Sequence, residues 1–170
     1  GWISRPSDPG IQGASLKMTH MKTFETLAQL IACVGQEVAV SDWHTVTQEH
    51  VNQFADATGD HQWIHVDVER ATSGPFGAPI AHGFLTLSLV AGFSQRTLKV
   101  SDVRMGVNYG LNKVRFMAPV PVGSRLRSRM TLLEATPVEG GQQLVWKNTI
   151  EREGSEKPVC VAESVARYYT

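Results

Sequence analysis

Asp60 and His65 lie in the short polar stretch Gly59-Asp60-His61-Gln62-Trp63-Ile64-His65, between a helical pattern and a Gly/Pro-rich loop. A carboxylate and an imidazole are residue types that general acid/base catalysis uses, because the ordinary histidine pKa lies near neutral pH. Further along the chain, Gly83 precedes a long apolar helical pattern. Backbone N–H groups at the start of a helix can hold an oxyanion. These residues predict a site for acid/base catalysis in which an oxyanion is stabilised by the backbone at the helix start.

The same residues also have non-catalytic interpretations. Judged by type and spacing alone, an aspartate and a histidine in a loop are more often cap and surface residues. His61 and His65 also have the i, i+4 spacing of a helical metal pair. No further ligand stands in register with them, so we expect no metal site. Ser88 has no adjacent base motif and is expected to bond a backbone carbonyl.

The elements that must position these residues can be predicted from hydrophobic periodicity and breakers. Thr47 is a candidate N-cap for a helix that Gly59 closes. Asp60 to Val66 is then a connector, Asp67 to Thr72 forms one further turn, and Ser73 to Pro79 is a loop. The helix after Gly83 is apolar almost all round, which predicts a central, buried helix.

Strand patterns surround this helical block. We expect an N-terminal helix over 24–31, a first strand over 37–46 that ends near Trp43-His44, and four later strands over 102–117, 124–133, 142–153 and 157–169. Leu126, Met130 and Leu132 share one face of the second late strand, and Arg125, Arg127 and Arg129 share the other, solvated one. The predicted fold is α+β: an antiparallel sheet of about five strands around one apolar helix, with its last three strands as a meander.

Composition sets the broad class. The 170 residues are 42% hydrophobic and 19% charged, which fits one domain over 21–170, and we interpret residues 1–20 as an irregular expression-tag leader. Lys and Arg balance Asp and Glu, so neither nucleic acid nor an acidic membrane surface is an expected partner. No apolar run is long enough for a transmembrane helix. Cys33 and Cys160 are expected to be free thiols, which favours a reducing cytoplasm.

Three segments carry a family resemblance. The run Phe54-Ala55-Asp56-Ala57-Thr58-Gly59-Asp60-His61-Gln62-Trp63-Ile64-His65-Val66-Asp67, the loop Gly74-Pro75-Phe76-Gly77 and the helix start Ile80-Ala81-His82-Gly83-Phe84-Leu85-Thr86 resemble the MaoC-like dehydratases. These are (R)-specific enoyl-CoA hydratases of the hot-dog fold. Gln62 and Trp63 stand where the family motif usually has Asn and Pro, and this variant resembles the branch named after nodulation protein N.

The resemblance implies a reaction and roles for residues. Asp60 and His65 would activate water for addition to a trans-2-enoyl-CoA, which gives an (R)-3-hydroxyacyl-CoA, and the Gly83 N–H would stabilise the thioester oxygen. Candidate substrate-binding residues are Gln62, Trp63, His82 and Phe84. The coenzyme A thioester is the substrate, no separate cofactor is implied, and a homodimer is expected because a single hot-dog leaves an edge strand open.

Alternatives remain open at the level of sequence. The same fold hydrolyses thioesters in other proteins, and a non-enzymatic acyl-CoA binding module is a further option. Trp63 would either shape the acyl pocket or fill core, and His82 would either orient substrate or pack at the helix start. A coenzyme A phosphate contact at the arginine row is a minority option. Asp56 and Asp67 are expected to cap or to pair on the surface.

Overall fold

The computed structural model describes residues 21–170, so the expectations for residues 1–20 lie outside the described part of the chain. In chain order the elements are β1 (Lys22–Phe24), α1 (Leu27–Ile31), β2 (Glu37–Val40), β3 (His44–Thr45), α2 (Gln48–Thr58), α3 (Trp63–Val66), α4 (Val68–Thr72), α5 (Gly83–Thr97), β4 (Leu98–Val100), β5 (Met105–Phe116), β6 (Arg125–Val138), β7 (Gly141–Arg152) and β8 (Cys160–Tyr169). None of the helices described between residues 21 and 170 is long and apolar enough to cross a membrane.

The main sheet is antiparallel and has the strand order β2-β6-β7-β8-β5, with β3 pairing along the same strand β6 as β2. The predicted meander of the last three strands is confirmed, because β6, β7 and β8 pair in sequence order. The prediction of one continuous first strand was wrong in detail, because a break between Val40 and His44 divides this segment into β2 and β3. A parallel pair of β1 and β4, which the sequence analysis did not predict, lies apart from this sheet.

The two faces of β6 show why the sheet forms as it does. Leu126, Met130 and Leu132 are at most 1% exposed and enter the core beneath α5. The arginines on the opposite face pair with acids: Arg125 with Glu153, Arg127 and Arg129 with Glu151, and Arg129 also with Glu37. The solvated face is therefore confirmed, and its cations are already partnered.

Two helical predictions need correction. Phe24 lies in β1, so the N-terminal helix begins at Leu27. The helix α5 occupies the predicted central position, but Phe84 is 69% exposed and only Leu85, Thr86, Phe93 and Thr97 are buried. A helix that is apolar on both sides is expected to be buried on both sides. In this structure the sheet of one chain covers only one side of α5, so the other side stays exposed.

Candidate functional site

The segment after α2 brings Asp60 and His65 to the same place. Thr47 accepts from the His50 N–H as the predicted N-cap of α2, and Gly59 ends that helix with a φ of 82°, in the left-handed region that favours glycine. The chain then turns, and the predicted connector contains the short helix α3, which carries His65. Asp60 is exposed whereas His65 is 6% exposed, so a solvated carboxylate lies next to a largely buried imidazole.

One hydrogen bond fixes the tautomer of His65. Its Nδ1 lies 2.7 Å from the Ile80 carbonyl oxygen. A carbonyl oxygen can only accept, so Nδ1 carries the proton and donates it. The lone pair of a neutral ring then belongs to Nε2, which has no hydrogen bond among the described residues. His65 is thereby prepared to accept a proton or a hydrogen bond at Nε2.

His82 packs directly against this imidazole. The His65 and His82 rings stack with centroids 3.9 Å apart, and Phe54 covers the His82 ring from 4.9 Å. The Nε2–H of His82 donates to the Asp60 carbonyl oxygen at 3.0 Å. With 2% exposure, His82 holds the backbone of Asp60 and the ring of His65 in place. The structure thus gives it a positioning contact rather than an open surface for substrate.

The carboxylate of Asp60 and the imidazole of His65 are separated by a gap suited to water. Polar atoms of Asp60, His65 and His82 lie within 4.8 Å of one another, yet neither a hydrogen bond nor an ion pair joins Asp60 to His65 in the described part of the chain. Two hydrogen bonds through one water span about 5 Å. The arrangement can therefore hold a single water between a carboxylate oxygen and an imidazole nitrogen.

The same three side chains are a poor chelate for a metal ion. An imidazole binds a metal in its ring plane, through a nitrogen lone pair. The His65 and His82 rings are stacked with centroids 3.9 Å apart and planes that differ by only 25°, so their in-plane lone pairs lie in two nearly parallel layers, which is unfavourable for binding one ion in both ring planes. His61, which has the i, i+4 spacing of a metal pair with His65, bonds Asp56 at 2.9 Å instead.

Burial should shift the pH dependence of activity. Burial is the largest influence on His65 and lowers its pKa from the ordinary 6.5; the proximity of His82 lowers it further. His65 therefore stays neutral to lower pH than a free histidine, and we expect the acid limb of kcat/KM to lie below pH 6.5. As pH falls, His65 binds its proton at a lower pH in the folded protein than in the unfolded chain. The stability that neutral His65 contributes is therefore fully present above pH 6.5, and it is lost as pH falls through the pKa of the folded state.

A pH–rate profile measured only where the thermal unfolding curve shows a folded protein tests this expectation. His44 provides a control, because burial also lowers its pKa but it stacks on His50, away from the site. The His44→Asn variant should keep the wild-type acid limb. An acid limb above pH 6.5 in the wild-type protein would contradict the assignment to His65.

Gly83 is the first residue of α5 and follows His82 directly. Its backbone N–H has no acceptor among the described residues, as expected for the first turn of a helix. A Cβ added at Gly83 would lie 3.2 Å from the Phe116 ring, tighter than an ordinary contact. Glycine thus keeps space beside the Phe116 ring at a residue whose N–H has no acceptor among the described residues.

The remaining predicted residues take varied places. Trp63 packs under Arg70, with 4.2 Å from the guanidinium carbon to the ring centroid, and its ring crowds Gly74, so it supports the loop. Gln62 is exposed beside Asp60, whose carboxylate accepts from the Gln62 N–H at 3.3 Å. Phe84 points outward and meets Phe116 edge to face.

Three smaller predictions concern polar side chains outside the pair. Ser88 donates to the Phe84 carbonyl as expected, although its side chain is exposed rather than in the core. Asp67 caps α4 by accepting from the Arg70 N–H, and Asp56 pairs with His61 on the surface, so the expected roles of both acids are confirmed. Cys33 and Cys160 are free thiols, as predicted.

Sequence reasoning missed two groups that hold His65. The Gln48 side-chain amide donates to the His65 carbonyl at 2.8 Å, and the Ile80 carbonyl receives the His65 ring proton. The bond to His65 ties the start of α2 to α3, and a second bond from the Gln48 amide to Asn52 lies within α2. A glutamine in the first turn of a helix carries no sequence signal for this role, and a backbone carbonyl carries none at all.

The chain matches a known family and known proteins over most of its length. A family model described as MaoC like domain matches residues 30–153. The chain is 56% identical over 149 residues to 3-hydroxyacyl-thioester dehydratase Z of Mycobacterium tuberculosis, covering 87% of this chain and 99% of that protein. It is 46% identical over 141 residues to nodulation protein N of Rhizobium leguminosarum bv. viciae, with 81% and 87% covered.

A solved structure extends the likeness to three dimensions. The structure of an R-hydratase from Pseudomonas aeruginosa superposes with a TM-score of 0.67, 23% identity, and coverage of 80% of this chain and 81% of that one. At this identity the likeness supports the fold alone. The predicted α+β hot-dog fold is confirmed.

Proposed function

Because this chain belongs to the MaoC-like dehydratase family and is a hydratase/dehydratase, a lyase, we propose that it interconverts a trans-2-enoyl-CoA and an (R)-3-hydroxyacyl-CoA. The family resemblance read from the sequence motifs is confirmed. The observation that carries the finer proposal is the water-sized gap between the Asp60 carboxylate and the His65 imidazole, whose Nε2 is left free by the Nδ1–H bond to Ile80.

The proposed chemistry needs one water and a polarised thioester. Asp60 and His65 hold the water, take one of its protons as its oxygen bonds C3 of the enoyl group, and deliver one proton to C2. Charge that develops on the thioester oxygen is stabilised by the Gly83 N–H. Dehydration runs the same steps backwards. Within this scheme Gln48, Ile80 and His82 act by positioning and touch no reacting atom.

A cavity of about 560 Å³ between α5 and the sheet supports the assignment of an acyl chain as part of the substrate. It starts at Leu87 and Ser88, roughly one helical turn beyond Gly83, and runs along α5 past its end to Val100. Its lining is mainly apolar. A thioester carbonyl at Gly83 would thus direct its acyl chain along the helix into this space.

An enoyl-CoA hydration assay across several chain lengths tests the proposal. Loss of the conjugated enoyl absorbance and an (R)-3-hydroxyacyl product on a chiral column are expected. A predominantly (S) product would contradict the stereochemical assignment. Thiol release from saturated acyl-CoA would instead support the thioesterase, and tight acyl-CoA binding without turnover would support the non-catalytic module.

Removing the Gly83 N–H should slow the reaction strongly. Proline is tolerated at the first position of a helix, and the extended backbone of His82 (φ −60°, ψ 140°) suits a following proline. Gly83→Pro therefore deletes the donor and leaves the helix intact, and we expect kcat to fall roughly 10²- to 10³-fold. The measurement is kcat with enoyl-CoA, alongside the thermal midpoint.

Gly83→Ala is the matched control for this variant. It adds the same Cβ near Phe116 but keeps the N–H. We expect it to retain most of the turnover that the proline variant loses. Equal losses in the two variants would assign the effect to crowding at Phe116 and remove the oxyanion role.

The proposed oligomer is a homodimer in which β5 edges of two chains pair. Among the described strands β5 pairs only with β8, and it exposes Met105, Val107, Tyr109 and Leu111. A long apolar edge strand invites pairing with another copy. Sedimentation equilibrium should give twice the chain mass for the wild-type protein. The double variant Met105→Glu/Tyr109→Glu should be a monomer. Val34→Glu, at an exposed apolar residue outside β5, should remain a dimer.

A further inference from the structure

The sheet side of the cavity under α5 contains a buried asparagine. Asn148 lies in β7 between Trp146 and Ile150, on the buried face of that strand, and it is only 3% exposed. It lines the cavity together with Ser164 of β8. A plain acyl chain makes only apolar contacts, and burying an amide is unfavourable unless its polar atoms are paired. The amide at this position therefore calls for a partner.

Two hydrogen bonds fix the orientation of the Asn148 amide. Its Nδ2 donates to the Ala162 carbonyl at 3.3 Å and to the Ser164 Oγ at 2.9 Å. A carbonyl oxygen can only accept, so the atom beside Ala162 is the amide nitrogen and not the amide oxygen. Both N–H groups of the amide are thereby used. The Oδ1 is left as an acceptor, and no donor among the described residues bonds it.

The free oxygen of Asn148 opens into the cavity. Within the described part of the chain, the side chains that have a fully enclosed polar atom without a partner are Gln48, His82, Ser128 and Trp146. Asn148 is not one of them, so its unpaired Oδ1 keeps accessible surface. Because Asn148 lies on the buried face of the sheet, that surface is reached from the cavity that Asn148 lines. Such an acceptor normally binds a donor from water or from a ligand.

Asn148 lies towards the end of the cavity that is nearer to Gly83. Phe116, whose ring lies beside Gly83, pairs with Cys160, and Asn148 pairs with Ala162. These two pairs are two residues apart along β8, or roughly 7 Å. The strand continues well beyond Ala162, and the cavity continues along it. An acyl chain that starts at Gly83 therefore passes this level before it reaches the far end of the cavity.

We propose that the cavity binds an acyl chain that carries a hydroxyl group beyond C3, and that this hydroxyl donates to the Asn148 Oδ1. The inference rests on the proposed function, which places an acyl chain in the cavity, and it adds a substrate class. A plain chain displaces water from the oxygen and leaves a buried acceptor unpaired. A hydroxyl replaces that water bond. An oxo group cannot replace it, because it accepts hydrogen bonds and donates none.

Calorimetric binding of saturated acyl-CoAs tests this without requiring turnover. The ligands have equal length and carry either a hydroxyl or an oxo group at the same carbon, which is moved stepwise along the chain, with the unsubstituted chain as reference. We expect the hydroxy chain to bind roughly tenfold more tightly than the plain chain at one position, and the oxo chain to show no gain there. A wild-type protein without this peak, or with an equal gain for the oxo chain, would overturn the proposal.

Asn148→Leu keeps the branched shape of the side chain but has no acceptor, and it should lose the preference for the hydroxy chain. Asn108→Leu is the matched control, because Asn108 also lines the cavity but pairs with Ala166, four residues further along β8 than Ala162. It should keep the wild-type preference. A peak unchanged in Asn148→Leu would exclude the Asn148 oxygen as the partner. If Asn148→Leu does not fold, the comparison of hydroxy and oxo chains in the wild-type protein decides.

Failure of the proposed function has a separate signature. In that case no enoyl-CoA is hydrated, while the hydroxy chain still binds more tightly than the plain chain. Failure of the present inference alone leaves enoyl-CoA hydration intact and removes only the preference for the hydroxy chain.

Discussion

His65→Ala is expected to lower kcat with enoyl-CoA by about 10²- to 10⁴-fold, the usual contribution of a positioned acid/base group. His65 is the one member of the pair whose geometry is fixed from several sides. Its ring proton is held by the Ile80 carbonyl, its face stacks on His82, and its backbone carbonyl accepts from Gln48. Removing the imidazole removes the free Nε2 lone pair that faces the proposed water.

Two further variants separate chemistry from folding. His65→Asn places a side-chain amide where Nδ1 was, so it can still donate to Ile80 but carries no base at the Nε2 position. The kcat of His65→Asn should be as low as that of His65→Ala, whereas its thermal midpoint should be closer to that of the wild-type protein. His61→Ala removes an exposed histidine that bonds Asp56, and it should leave kcat unchanged. Normal turnover in His65→Asn would remove His65 from the mechanism.

Asp60→Asn should lower kcat by about 10²- to 10³-fold. The amide keeps the oxygen that accepts from the Gln62 N–H, and it keeps the backbone carbonyl that His82 bonds. It cannot take a proton as a carboxylate does. Because Asp60 is exposed, the substitution should leave the thermal midpoint within about a degree or two of the wild-type value.

Asp56→Asn is the matched control for Asp60→Asn. Asp56 is an exposed carboxylate whose partner is His61. The two variants change net charge equally, so a loss in turnover confined to Asp60 assigns the effect to the site. Comparable losses in both would point to long-range electrostatics and exclude a direct role for the Asp60 carboxylate.

The sequence predicted the elements whose signals are local. Thr47 and Gly59 delimit α2 as expected, because a side-chain cap and a left-handed glycine act within a few residues of the helix end. The alternation in β6 gave the correct buried face, because side chains of a strand alternate between its faces. The β1–β4 pair was missed, since pairing of two three-residue strands depends on contacts between distant segments.

For the site, too, some features follow from the sequence and others only from the tertiary structure. By itself the sequence determined the family to which the chain belongs, and it predicted that Asp60, His65 and Gly83 form one candidate site. Only the tertiary structure decided which imidazole nitrogen of His65 is free, and that His82 stacks beneath it and holds Asp60. A hydrogen bond to the carbonyl of Ile80, fifteen residues away, leaves no trace in residue types, because every residue has a carbonyl and only the fold selects which one is near.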